Sequence, residues 1–189
     1  MAEPVPATAT LTLEEWATLP EDVPGELVDG VLVGEEEVGY LHDALCAALL
    51  LVLGRWLDGR GRIATSEVKF GVAKDRGRKP DLTVYFERAR LPARGLVTTP
   101  PDLVVEVVSS TARDRRRDRV EKLADYAAFG VRFYWLVDPE ASTVEVLERG
   151  EDGLYRIALA ASAGQHAVPG CPGLVLDLDA LWAEVADLD

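Results

Sequence analysis

The segment Leu103-Val104-Val105-Glu106-Val107-Val108 constrains this chain more than any other stretch. It is a β-branched run bounded by Pro101 and Ser109. Such a run suits a strand covered on both faces, and therefore one in the middle of its sheet. One residue breaks the pattern. Glu106 places a carboxylate between Val105 and Val107, and a lone buried carboxylate is costly. It must be paired, metal-bound or protonated, unless it faces solvent or meets an arginine.

The rest of the chain supplies elements to cover that strand. Residues 1–9, rich in Ala, Pro and Thr, read as a loose tail, leaving 1–10 as a tail and 11–189 as one domain. A length of 189 residues fits one domain with its own core. Thr12-Leu13-Glu14-Glu15 has capping-box character and predicts a short helix stopped before Pro20. Gly25 to Val33 predicts two short strands joined at Asp29-Gly30, a hairpin dipeptide. Leu41 to Leu57 is apolar and long enough for a core helix. Ile63 to Val72 predicts one strand, and Asp81 to Phe86 another, entered through Pro80. Residues 89–101 hold Pro92, Gly95, Pro100 and Pro101 and predict a loop. Ala112 to Phe129 predicts a helix ended by Gly130. Phe133–Val137, Thr143–Leu147 and Leu154–Leu159 predict a meander, and Leu178–Val185 a closing helix. The class is mixed α/β or α+β, a sheet with helices against it.

Charge and composition exclude several functions. Acids outnumber bases, 33 to 20, for a formal charge of −13. A generally basic, DNA-coating protein is excluded, although a local basic groove is not. The apolar run Ala44–Leu53 is ten residues, too short to span a bilayer. Met1-Ala2-Glu3-Pro4 lacks the basic start of a signal peptide, so the expectation is a cytoplasmic protein with no membrane partner. Cys46 lies in the apolar run and reads as a small core residue, and Cys171 lies in a turn. No C-x-x-C or H-E-x-x-H spacing occurs, which disfavours zinc and leaves oxygen ligands as the expected donors. No dinucleotide, P-loop or Gly-x-Ser-x-Gly fingerprint is present, and Ser109-Ser110 has no evident His partner.

Asp81 opens the strand neighbouring that of Glu106. Two carboxylates at the ends of adjacent strands suit Mg²⁺ or Mn²⁺, an ion that activates water and stabilises phosphoryl charge. Lys122 stands out because the chain uses 16 Arg and only 4 Lys. A compact ammonium suits a single phosphate oxygen or water. Asp118 and Tyr126, four residues to either side, share its helix face. The plain alternative is an Asp118–Lys122 surface pair. Between Arg113 and Arg119 lie five Arg and two Asp, a segment that could touch phosphates or form an ordinary solvated face. His42 at a helix start reads as a catalytic group or as a surface or capping residue. Tyr134 and Trp135 read as core.

Taken together, Pro80-Asp81, Glu106-Val107-Val108, Asp118, Lys122, Tyr126, Gly130-Val131 and Tyr134-Trp135-Leu136-Val137-Asp138-Pro139 resemble the Uma2 family, a bacterial group of restriction-endonuclease-like proteins. Gly25-Glu26-Leu27-Val28-Asp29-Gly30 and the helix-borne His42 match its N-terminal pattern, and the resemblance runs over roughly residues 11 to 182. It implies the PD-(D/E)xK nuclease fold, a mixed β-sheet flanked by helices. It also implies that Asp81 and Glu106 bind the metal, with the main-chain carbonyl of Val107 as a further ligand. Val108 stands where the lysine of E-x-K would be, and the resemblance passes that role to Lys122. Glu26 becomes a further acid near the metal, and His42 and Tyr126 become accessory residues. The implied activity is metal-dependent phosphodiester hydrolysis with Mg²⁺ or Mn²⁺. The implied partner is nucleic acid, DNA ahead of RNA, and a homodimer is compatible with it. The alternative is a non-catalytic module of the same fold that binds protein or nucleic acid, which the acidic balance favours. A two-carboxylate glycosidase has no supporting signature.

Overall fold

The computed structural model describes residues 10–20, 23–34, 39–108 and 116–188. The tail over 1–9, Ser109-Ser110, Arg113 and Arg115 lie outside the described residues. The Thr12 capping box closes in both directions. The Glu15 N–H donates to Thr12 Oγ1 at 3.2 Å, and the Thr12 N–H donates to Glu15 Oε2 at 2.8 Å. This starts α1 (Leu13–Thr18). Asp29 and Gly30, both at positive φ, turn β1 (Glu26–Val28) into β2 (Val31–Val33), as the hairpin dipeptide predicts.

Helix α2 (Tyr40–Leu57) follows. Leu45, Leu49, Leu53 and Leu57 repeat every four residues, forming a buried stripe. By length and composition, α2 is the one described helix long and apolar enough to cross a membrane. The ten-residue run therefore understated the apolar span, because the helix extends it at both ends. Its leucine stripe packs on the sheet.

The predicted strand from Ile63 to Val72 divides into β3 (Arg62–Thr65) and β4 (Phe70–Ala73), which belong to different sheets. Ser66 and Glu67 are exposed at the break, and the chain turns there to change sheets. β5 (Arg76–Arg78) was not expected, because Arg-Gly-Arg carries no apolar alternation. It pairs with β1 and β4 in the order β2-β1-β5-β4. Gly77 is required here, since a Cβ at that position would sit 2.2 Å from the Trp16 ring. Gly77→Ala is expected to cost about 1–3 kcal/mol in urea unfolding, from overpacking against Trp16. Unchanged stability would show that Trp16 can give way.

The principal sheet has six strands in the order β10-β9-β8-β7-β6-β3. These are β6 (Leu82–Tyr85), β7 (Leu103–Val107), β8 (Phe133–Asp138), β9 (Thr143–Arg149) and β10 (Tyr155–Ala161), together with β3. β7 and β8 are parallel, and their neighbours run antiparallel. β7 lies inside the sheet with all five residues buried, as its β-branched run predicts. Leu103, Val105 and Val107 face the α2 leucines. Val104 and Val108 face the other way, into a second apolar cluster containing Tyr126 and Tyr134. Tyr134 and Trp135 are fully buried, as expected of core residues.

Residues 112–115 of the predicted helix lie outside the described residues; the rest is a wide π-helical stretch, Arg117–Lys122, continuing into α3 (Leu123–Phe129). Gly130, at φ +102, ends it. This segment crosses from β7 to β8 on the Tyr126 side of the sheet, as a parallel pair demands. A short pair that the sequence did not announce, β11 (Gln165–Ala167) and β12 (Val175–Asp177), precedes α4 (Leu178–Ala183). Cys46 and Cys171 are both free thiols.

Candidate active site

The strand pleat turns Glu106 to the same face as Val104 and Val108, where α3 lies. Its carboxylate is 1% exposed and not alone. The Lys122 ammonium donates to Glu106 Oε2 at 2.9 Å, and the Tyr126 hydroxyl donates to Oε1 at 2.6 Å. Both readings that left Glu106 in solvent or against an arginine are excluded. Lys122 also lies 3.1 Å from Asp118 and 3.9 Å from Glu26. Lys122 is 7% exposed and Asp118 4%, so their pair is a buried contact and not a surface one. Tyr134 donates to the Asp118 carbonyl at 3.0 Å, fixing the helix over the sheet.

Glu26 reaches the cluster from β1 and is fully buried. Its Oε1 accepts from the Lys79 N–H at 2.9 Å, and its Oε2 accepts from Arg78 at 2.7 Å. Arg78, equally buried, also donates to Asp125 Oδ2. The unexpected strand β5 therefore exists to carry a guanidinium into the interior, where two carboxylates receive it.

Asp81 sits at the start of β6. Leu82 pairs with Val105, so Asp81, one residue earlier, lies level with Glu106. Its Oδ2 accepts from the Val107 N–H at 2.8 Å and meets His42 Nε2 at 3.1 Å. His42 is thus neither a surface nor a capping residue. It comes from α2 on the opposite side of the sheet and ties that helix to the strand end. A surface cleft of about 230 Å³ opens here, lined by His42, Cys46, Asp81, Thr65 and Ser66 among others.

The electrostatics follow from burial and crowding. Burial pushes the Glu106 carboxyl well above the usual range. Lys122 pulls it back down, while Asp81, Asp118 and Glu26 add to the rise. Asp118 is raised by burial in the same way, against the pull of Lys122. Glu26 shows the opposite outcome. Burial works against its charge, but Lys122, Arg78 and the Lys79 N–H outweigh it and hold the group low. Burial opposes charge on Lys122 as well, yet Glu106, Glu26, Asp118 and Asp81 hold its proton firmly. Burial also disfavours a charged His42, but the Asp81 carboxylate and the Cys46 sulfur raise it to about 11. Glu106, Asp118 and Glu26 thus surround the Lys122 ammonium, with the Asp81 carboxylate near enough to act on it and Arg78 shared between Glu26 and Asp125.

Of the residues singled out in the sequence, Glu106, Lys122, Tyr126 and Glu26 meet in one buried cluster, and Asp81 and His42 meet at its edge. Sequence reasoning paired Asp118 with Lys122 only at the surface, and it missed Arg78 as the cluster's neutralising cation and Cys46 as a neighbour of His42. Cys46 is half-buried and packs against the edge of the core, as expected, and its Sγ lies 3.8 Å from His42 Nδ1. The cue was available as His42-x-x-x-Cys46, one turn apart on a helix. The described part of the arginine segment, 116–119, is not a uniformly solvated face, although Arg116 is exposed. Arg117 is buried, and Arg119 binds Glu145 at 2.6 Å and Asp138 at 3.2 Å. A larger cavity of about 580 Å³ lies along β3 and β6, bordered by Arg62 and Arg88, with Thr83 on its wall. The Thr83 hydroxyl is buried without a hydrogen-bond partner.

Three comparisons bear on these features. The Uma2 family model, described as "Putative restriction endonuclease", matches residues 12–180. The crystal structure of a "putative nuclease belonging to DUF820" from Anabaena variabilis ATCC 29413 superposes with a TM-score of 0.73 at 20% identity, covering 93% of this chain and 99% of that one. At that identity the likeness is one of fold. No curated protein matches the chain significantly. The family match spans the hairpin of Glu26, the helix of His42, both carboxylate strands and the helix of Lys122, and the chain therefore belongs to the Uma2 family.

Proposed function

We propose that residues 11–189 form one nuclease domain that hydrolyses phosphodiester bonds of nucleic acid with a divalent metal, using Asp81, Glu106 and Lys122. The observation that carries this reading is the Lys122 ammonium, delivered by the helix after β7 onto the Glu106 carboxylate and ringed by three more acids. Val108 leaves the E-x-K position without a lysine, and Lys122 reaches the same carboxylate from another element.

The donors fit a hard cation. Asp81, Glu106 and the Val107 main-chain carbonyl offer oxygen, which suits Mg²⁺ or Mn²⁺. Bound there, such an ion would supply an activated water and a Lewis acid for the phosphoryl group. The chain's own residues do the rest. His42 and the Val107 N–H hold one oxygen of Asp81 and orient the other. Tyr126 fixes the rotamer of Glu106. Lys122 donates to Glu106 and lies 3.1 Å from Asp118 and 3.9 Å from Glu26, so its charge is fixed beside the Glu106 carboxylate. An ammonium held this way stabilises charge that develops on the phosphate in the transition state.

The test is cleavage of DNA and of RNA by the purified chain with Mg²⁺ or Mn²⁺. Glu106→Gln, which keeps the shape of the side chain, is expected to abolish cleavage, as is chelation of the metal. Asp81→Asn is expected to weaken Mg²⁺ binding in calorimetry. Cleavage that survives Glu106→Gln, or equal Mg²⁺ affinity after Asp81→Asn, sinks the assignment. The net charge of −13 favours a second reading, a binding module that has kept the fold without the chemistry. Metal binding without cleavage of either nucleic acid would select it.

A further inference from the structure

We propose that His42, Cys46 and Asp81 form a second cation site, selective for a thiophilic divalent ion of the zinc class, whose occupancy withdraws Asp81 from the magnesium-type centre. The inference rests on the reading of Asp81 given above, but its geometry stands by itself. One donor atom from each of the three side chains can be chosen so that all lie within 4.8 Å of one another. Asp81 Oδ2 is 3.1 Å from His42 Nε2, the nitrogen that would bind the ion, and Cys46 Sγ lies beside the same ring, 3.8 Å from its other nitrogen, Nδ1. Donors around a tetrahedral zinc ion, at bond lengths of about 2.0–2.3 Å, lie roughly 3.3–3.7 Å apart. Rotation about the side-chain torsions of His42 and Cys46 brings the three donors to that spacing.

The chemistry of the set is not that of the oxygen centre. Magnesium prefers oxygen and has little use for a thiol, whereas thiolate and imidazole select zinc-class ions. Thiolate, carboxylate and neutral imidazole balance a divalent charge. The Cys46 thiol proton and one His42 proton pass to solvent as the ion enters. Asp43 completes the arrangement. It lies 3.3 Å from His42 Nδ1, where a carboxylate orients an imidazole that uses Nε2 as its ligand atom. The three donors line the cleft of about 230 Å³, so a fourth position remains open to water. The site is built by α2, which sets His42 and Cys46 one turn apart, and by the strand end that brings Asp81 to them. An ion held here engages Asp81 Oδ2, the oxygen now shared by His42 and Val107. Taking Oδ2 from those two contacts releases the orientation of the other oxygen, and a second dication beside it repels Mg²⁺, so the two ions oppose each other at Asp81.

The experiment uses Co²⁺ alone as the probe, added to the chelator-stripped full chain. Wild type is expected to develop a thiolate-to-cobalt charge-transfer band and intense visible d–d absorption, both bleached by Zn²⁺. Cys46→Ser is expected to lose the charge-transfer band. Cys46→Ser and His42→Ala are each expected to weaken Co²⁺ binding by about tenfold or more. Cys171→Ser is expected to keep the band, and circular dichroism checks that each variant is folded. No band in wild type, or a band that survives in Cys46→Ser, overturns the proposal. In the Mg²⁺ cleavage assay, Zn²⁺ is expected to inhibit wild type at lower concentration than it inhibits Cys46→Ser, each relative to its own uninhibited rate. Equal inhibition overturns the competition. The absorption readout needs no turnover, so a missing band with intact Mg²⁺ cleavage removes only this site. A present band without cleavage removes only the nuclease reading.

Discussion

Lys122→Met is expected to lower the rate of nucleic-acid cleavage at saturating Mg²⁺ by at least about a hundredfold, a loss of roughly 3 kcal/mol of barrier lowering. Methionine keeps much of the stem and removes only the ammonium. On the proposed role, in which the ammonium acts on charge that grows in the transition state, the loss should fall on kcat. Mg²⁺ affinity should hold or rise, since Glu106, Asp118, Glu26 and Asp81 lose their shared cation. Lys122→Arg should rescue little, because a guanidinium is broader and cannot replace a point donor packed between Glu106 and Asp118. Lys122 is 7% exposed, and its removal strands buried carboxylates. Assays therefore belong in Mg²⁺, with thermal unfolding run in parallel. Full activity in both the Met and Arg variants of a folded protein would leave Lys122 as a structural cation only.

The second large effect concerns stability. Arg78 is completely buried between Glu26 and Asp125. Arg78→Met is expected to cost about 3–5 kcal/mol at neutral pH, the usual penalty for breaking a buried ion pair from one side, although Asp125 keeps Arg76 and Glu26 keeps the Lys79 N–H. The pH dependence has a definite sign. Glu26 is held below its ordinary value in the folded chain, with Lys122 and Arg78 opposing the cost of burial. Its favourable contribution is present above the ordinary carboxylate range and fades as pH falls through the lowered value. The gap between wild type and Arg78→Met should therefore be widest near neutrality and narrow in acid. Urea denaturation at several pH values measures it. A variant as stable as wild type at neutral pH would show that Glu26 and Asp125 find other partners.

Much of the architecture was legible because local rules decide it. The capping box at Thr12, the Asp29-Gly30 turn, the glycine stop at Gly130 and the buried run of β7 each depend on neighbours in sequence. Glu106 was legible as an anomaly, since an acid in an apolar run needs a partner. What remained hidden depended on contacts far along the chain. The break between β3 and β4 reflects a choice between two sheets, which a run of β-formers does not record. β5 reads as Arg-Gly-Arg and looks like a loop until Glu26, Asp125 and the Trp16 ring are placed around it.

The sequence by itself determined that a carboxylate sits in a central strand, that an acid opens its neighbour, and that a solitary lysine follows on a helix. Residue type and short-range periodicity are sufficient for that much. Only the tertiary structure decided that Lys122 and Tyr126 lie on Glu106, that Arg78 and Glu26 neutralise each other beneath them, and that His42 and Cys46 share Asp81. Those pairings join residues 16 to 52 positions apart, apart from the helical step between His42 and Cys46. Burial and charge balance, which only the assembled sheets and helices create, select among such distant partners.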